Sequence, residues 1–309
     1  MSDVRQHQHV LLSHDGHAIH IRIWQPLEKS RGLLQIFHGL GEHAGRYERF
    51  ATAAVNRGFA VCIHDHRGHG GHNERQGHFA DRNGWNLLIT DALLTLNFAL
   101  EHCSKKQVTL LGHSMGSYIA QSFAMRYPQA VSALILSAST WPSRLQLRIA
   151  QILAGSEIWR RGPRAFSPLL DKLGFGDFNK PFAPGRTEHD WLSRDEIEVD
   201  KYIADPFCGG PYSCGLWRDL LAGLVGISAT DALGKIPASL PIRITGGQMD
   251  PVGGVRGMTR LADQYQLSGH DQVSLEIYAQ GRHEMLNEVN RDEVTADILE
   301  WMTTNCNQR

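Results

Sequence analysis

The sequence predicts the α/β fold class: a mostly parallel sheet with helices on both faces, broken once by a long insertion. Three observations predict it. Short apolar runs alternate with helix-length amphipathic segments through the first 140 residues, which is the rhythm of parallel strands joined by helical crossovers. Between residues 141 and 236 the alternation stops, and Gly, Pro and Trp are frequent without strand periodicity. From residue 237 to 309 strand and helix alternate again. The expected organisation is therefore a core of residues 1–140 and 237–309 carrying an insertion, 141–236.

In chain order, "VLLSHDGHAIHIRIW" holds two alternating runs around a turn and predicts a hairpin. Further strands are expected at 33–37, 59–64, 107–111 and 132–137, with helices near 46–57, 85–101 and 115–127 between them. The 85–101 segment puts Trp85, Leu88, Ile89, Ala92, Leu93 and Leu96 on one stripe at helical spacing. After the insertion come "LPIRITGGQMD" (strand), "GGVRGMTRLADQYQ" (helix), "QVSLEIYAQG" (strand) and "EVTADILEWM" (helix). That makes eight strands, with the insertion after the sixth.

A chain of 309 residues, 42% hydrophobic, is long enough to bury a large core. Its net charge of −1 provides no field for nucleic acid, so no nucleic-acid partner is expected. The N-terminus lacks a basic stretch followed by an apolar one, so no signal peptide is expected, and no apolar run reaches the length of a membrane span. The five cysteines are odd in number and scattered, which fits reduced thiols and a cytoplasmic protein. Nothing in the sequence specifies an oligomeric state.

Residues 37–47, "FHGLGEHAGRY", pose a question about chemistry. Gly39 to Ala44 reads G-x-G-x-x-A, a form of the dinucleotide-binding fingerprint, and Asp65 follows at the distance of a ribose-binding acid. A competing signal lies further on. Gly112-His113-Ser114-Met115-Gly116 is a G-x-S-x-G pentapeptide, weak alone but here placed between an apolar strand and a helix. That context is a nucleophile elbow, where a strained turn lifts a serine Oγ out of the sheet.

A serine hydroxyl needs a base to take its proton and a carboxylate to orient that base. Behind such an elbow the acid precedes the histidine in the chain. Asp250 and His283 each follow the carboxyl end of an expected strand, where open α/β sheets place ligands. Acyl transfer also needs two donors for the developing oxyanion. The Met115 N–H, just after the serine, is one candidate, and the Leu40 N–H in "HGLG" is the other. On this reading no cofactor is needed, and the glycines of "FHGLGEHAGRY" shape half of an oxyanion hole.

At these residues the sequence resembles the monoacylglycerol lipase and lysophospholipase group of α/β-hydrolases, also grouped with serine aminopeptidases. "FHGLGEHAGRY" is similar to the group's H-G-x-G-E-H-x-x-R-Y block, "HDHRGHG" to its D-x-x-G-H-G turn, "GHSMGS" to its elbow and "GRHEMLNE" to its histidine loop. "LSRDEIEVDKYIADP" resembles its late cap segment, while His72 stands where the group usually has Ser. The resemblance implies the α/β-hydrolase fold, a mainly helical cap, the triad Ser114–Asp250–His283 and oxyanion donors Leu40 and Met115. It implies a small-molecule substrate: a lipid-like monoester, with a simple carboxylic ester, an aminoacyl amide or non-catalytic binding as alternatives. Glu42, Arg46 and Tyr202 match positions that contact the glycerol end or support its pocket. For Glu42 and Arg46 the competing role is an ion pair bracing the loop, and for Tyr202 it is cap packing.

Two further features need weighing. "HDHRGH" and "HEMLN" approach metal motifs, but Gly68 and Asn287 stand where ligands are required, so no metal is expected. Within "PSRLQLRIAQILAGSEIWRRGPRA", Leu145, Ile149, Ile152 and Leu153 form a stripe, and five Arg face one Glu. The plainer expectation is that this stripe packs on the core. The alternative is an amphipathic cap element touching lipid at the inner membrane surface.

Overall fold

The hairpin forms as its alternation requires: β1 (Arg5–Leu12) and β2 (Ala18–Gln25) pair antiparallel, with Arg5 opposite Gln25. In the computed structural model, which describes residues 4–72, 75–103, 107–229 and 231–306, six more strands complete one sheet. They are β3 (Leu33–Phe37), β4 (Ala60–His64), β5 (Val108–His113), β6 (Ala133–Ser137), β7 (Ile242–Gly247) and β8 (Val273–Tyr278). The order across the sheet is β1-β2-β4-β3-β5-β6-β7-β8. Pairings from β4 to β8 are parallel, while β2 joins β4 antiparallel.

Core helices α1 (Glu48–Asn56), α2 (Gly84–Glu101) and α3 (Met115–Arg126) precede the insertion. Between β6 and β7 lie α4 (Arg144–Arg161), α5 (Pro168–Phe175), α6 (Glu196–Ala204) and α7 (Cys214–Ile227), with α8 (Gly254–Leu267) between β7 and β8 and α9 (Arg291–Cys306) after β8. Side chains alternate across the central strands. Leu34, Ile36, Ile63, Leu111 and Ile135 join a cluster with α1 and α9. Leu33, Phe37, Leu110, Leu134 and Leu136 join another with α2, α3 and α8. With both faces covered, β3 to β7 are buried throughout, as parallel strands require. Their carboxyl ends converge on one edge, where the functional loops lie.

Of the stripe on α4, Leu153 packs against the core cluster, but the other three residues do not. Leu145, Ile149 and Ile152 are exposed, and Trp159 is 90% accessible. The helix turns Leu147 and Ala154 inward against α7 instead, together with Glu157. That buried carboxylate is satisfied: it accepts the Ser167 hydroxyl at 2.6 Å and pairs with Arg160 and Arg161. Helical spacing grouped Leu145, Ile149 and Ile152 on one face, but that face points outward and Leu153 lies on the core side. Cys62, Cys103, Cys208 and Cys214 are free thiols.

Candidate active site

β5 runs straight into Ser114, whose φ of 52° and ψ of −120° lie in a region that L-residues rarely occupy. The surrounding glycines allow this turn. A Cβ on Gly116 would overlap the Phe37 carbonyl, and one on Gly112 would overlap the Gly116 carbonyl. The Ser114 N–H bonds to Ser137 O at 2.9 Å, which ties the turn to β6. Met115 opens α3, so its N–H is among the orphan donors of that helix end.

Asp250 lies three residues beyond β7 and His283 five beyond β8, both buried. Their side chains meet: His283 Nδ1 is 2.9 Å from Asp250 Oδ1. The Val252 N–H donates to that same oxygen at 2.9 Å and fixes the carboxylate. With Nδ1 so engaged, Nε2 is the nitrogen left to exchange protons. Burial opposes a charged imidazole here, but the Asp250 carboxylate and its hydrogen bond, aided by Glu284 and Glu42, hold the His283 pKa above its ordinary value.

Ser114, His283 and Leu40 line one cavity of about 520 Å³. The segment between β6 and β7 contributes much of the remaining wall through Phe175, Trp191, Leu192, Tyr202 and Tyr212. Glu42 and Tyr202 line this cavity too, whereas Arg46 lies behind its wall with its guanidinium carbon 5.0 Å from the Tyr202 ring centre. Glu42 accepts the Gly39 N–H at 2.5 Å and the Tyr47 hydroxyl at 2.8 Å, so its carboxylate braces the loop from within.

The fingerprint glycines serve this loop. Gly41 has φ of 75°, and a Cβ on Gly39 would lie 2.8 Å from Glu42 Oε1. Asp65, the would-be ribose acid, accepts the Ala44 N–H at 2.8 Å. The histidines of "HDHRGH" are also structural. His66 donates its N–H to His38 Nε2 at 3.0 Å, and His69 Nδ1 is 3.0 Å from Arg67 O. Burial pushes the His64 pKa down to about 4 and lowers those of His66 and His69, so these rings are neutral. Among the described residues, the one metal-capable trio is His43, Asp205 and Cys208. Both nitrogens of its histidine are already engaged, with Asp205 at 2.8 Å and the Gly45 N–H at 3.1 Å.

Three further residues beside the site were not assigned a role from the sequence. His113 and Trp191 flank the His283 ring at centroid distances of 4.8 and 4.9 Å. Trp191 also accepts the His283 N–H at 3.3 Å through its carbonyl. Glu284 follows His283 within "GRHEMLNE" and is buried; membership of that block was the mark it offered.

Comparison with known proteins gives the family. The family model described as Serine aminopeptidase, S33 matches residues 28–290. A monoacylglycerol lipase of Mycolicibacterium smegmatis is 27% identical over 302 residues, spanning 96% of this chain and 97% of that protein. The human monoglyceride lipase is 26% identical over 238 residues, 75% of this chain and 67% of that protein. A thermostable carboxyl esterase from Bacillus coagulans, solved with glycerol, superposes with a TM-score of 0.89 at 25% identity and covers 97% of this chain and 99% of its own. The chain thus belongs to the serine aminopeptidase S33 family of α/β-hydrolases.

Proposed function

We propose that this protein is a cofactor-free serine hydrolase that cleaves carboxylic esters of lipid-like monoesters, monoacylglycerols foremost. The observation carrying this reading is the buried Asp250–His283 pair, whose histidine lines one cavity with the elbow serine beneath an aromatic and aliphatic wall. Ser114 Oγ attacks the acyl carbonyl while His283 Nε2 takes its proton and then passes it to the leaving alcohol. Asp250 keeps the proton of neutral His283 on Nδ1 and stabilises the imidazolium. The Leu40 and Met115 N–H groups receive the oxyanion, each worth about 2.7–4 kcal/mol. Water enters by the same base catalysis, releasing the acid and restoring Ser114. Residues 141–236 act as the cap over the acyl chain.

A second reading, a carboxylesterase for short acyl chains, is favoured by the likeness to the Bacillus coagulans carboxyl esterase. One panel decides between them: nitrophenyl esters of increasing chain length, monoacylglycerols, lysophospholipids and an aminoacyl amide. Rising kcat/KM with chain length, and turnover of monoacylglycerol, is the expected result. A maximum at acetate or butyrate with no monoacylglycerol cleavage would favour the second reading, and turnover of the amide alone would overturn both.

General-base catalysis requires neutral His283, so kcat/KM should fall as pH drops through its pKa. Because that pKa is raised, the inflection should lie above the ordinary histidine value of about 6.5. An acid limb centred below it would contradict the assignment.

The outward stripe of α4, flanked by Arg144, Arg148, Arg160 and Arg161, supports peripheral contact with an anionic lipid surface. Among the described residues no helix is long and apolar enough to cross a membrane. Changing Arg144 and Arg148 to Glu should weaken sedimentation with phosphatidylglycerol vesicles by roughly thirtyfold or more, at about 1 kcal/mol for each of the two lost basic residues. Equal binding of variant and wild type would exclude this contact.

A further inference from the structure

The loop carrying Leu40 and the loop carrying His283 are joined by a buried chain of charged groups. Glu42 Oε1 accepts the N–H of Gly39, the residue before Leu40, at 2.5 Å. Arg46 Nη1 donates to Glu42 Oε2 at 3.1 Å and to Glu284 Oε1 at 2.5 Å, and Nη2 donates to Glu284 Oε2 at 2.7 Å. Glu284 is the residue after His283. The Asn287 side-chain amide donates to Glu284 Oε2 at 3.0 Å, and Arg49 donates to Asn287 Oδ1 at 2.9 Å. Side-chain exposure along the chain is 5% for Glu42, 10% for Arg46 and 7% for Glu284.

We propose that Arg46 and Glu284 are positioning residues: the Glu42–Arg46–Glu284 chain is a strut that fixes the oxyanion-hole loop against the histidine loop. Resting on the serine-hydrolase reading above, it assigns these side chains to the geometry of the reacting groups, not to the substrate. The guanidinium fork suits this task, because one planar group satisfies two carboxylates that would otherwise repel. Glu284 keeps both its oxygens on Arg46 and stays with the His283 loop. The strut carries two carboxylates and one cation, so its net negative charge also favours the imidazolium formed during acyl transfer.

The charged and titratable groups around His283 come from several elements. Asp250 faces it from the β7–α8 loop, Glu42 and Arg46 from the loop after β3, His113 from the end of β5, and Glu284 from its own loop. The insertion adds His189 and Tyr202 near Glu284. Removing the Glu284 charge leaves Asp250 and Glu42 opposite His283 and makes Arg46 less neutralised, so the imidazole should protonate at lower pH.

The test uses the intact enzyme with E284Q, E284D and R46K, measured as kcat, KM and pH profile, with unfolding midpoints to confirm the fold. In E284Q, kcat should fall roughly 10–100-fold, the loss expected of a misplacement near 1 Å, with KM within about twofold. Its acid limb should move to lower pH. E284D keeps the charge and should hold the limb in place while recovering part of kcat. R46K cannot fork to both carboxylates, so kcat should fall while the limb stays. If E284Q does not fold, R46K decides. Overturning results are kcat within about twofold of wild type in the folded variants, or a loss confined to KM, which would mark substrate contact. Fluorophosphonate labelling separates the two levels. No label on wild-type Ser114 would overturn the serine mechanism and the strut with it, whereas normal labelling with unchanged kcat would overturn the strut alone.

Discussion

Replacing Ser114 with alanine should lower kcat by roughly 10⁶-fold, the scale of losing a serine nucleophile, while leaving the folded state intact. Alanine keeps the Cβ, so the strained backbone at φ 52° is unchanged, and the serine side chain makes no capping bond to α3. The Asp250–His283 pair and the cavity wall are untouched. Turnover of a nitrophenyl ester and the thermal transition, measured on one preparation, check both halves. Activity within a hundredfold of wild type would remove Ser114 from the mechanism, and loss of the cooperative transition would remove the explanation.

Asp250→Asn should cost on the order of 10⁴ in kcat. The amide is nearly isosteric with the carboxylate, but Oδ1 both accepts the Val252 N–H and faces His283 Nδ1, so an amide that turns its nitrogen to the histidine gives up the Val252 bond. Its NH₂ then faces His283 Nδ1 and turns that nitrogen into an acceptor, which moves the ring proton to Nε2, where it blocks attack by Ser114. The charge that supports the imidazolium is lost as well, so the acid limb should also move to lower pH. A kcat within tenfold of wild type, with the limb unmoved, would show that Asp250 does not orient the base.

Much of the architecture was legible because it is written in local pattern. The strands at 33–37 and 132–137 are mostly apolar runs bounded by turns, and the elbow passes from strand to helix through Ser114 alone. Asp250 and His283 were legible through their places after two strands, although the 2.9 Å contact between them joins residues 33 apart. What could not be read depends on distant segments. Glu284 looks like any carboxylate beside a histidine until the fold delivers Arg46 from 238 residues away. Trp191 sits in a stretch with no periodicity, and its place against His283 follows from the path of the insertion. On α4, the usual association of apolar with inside fails twice: Ile152 is outside, and Glu157 is inside because Ser167 and two arginines satisfy it.

The backbone at residue 114 sets folding and chemistry against each other at a single codon. A residue with a Cβ held at φ 52° and ψ −120° carries a strain of about 1–3 kcal/mol, whereas glycine adopts that conformation freely. Ser114→Gly should therefore unfold at a higher midpoint than Ser114→Ala, although both lack the nucleophile. Propagated under pressure for stability alone, this lineage would be expected to drift to glycine at 114. The elbow would then survive as a relaxed turn, and the ester hydrolase would have become an inert scaffold.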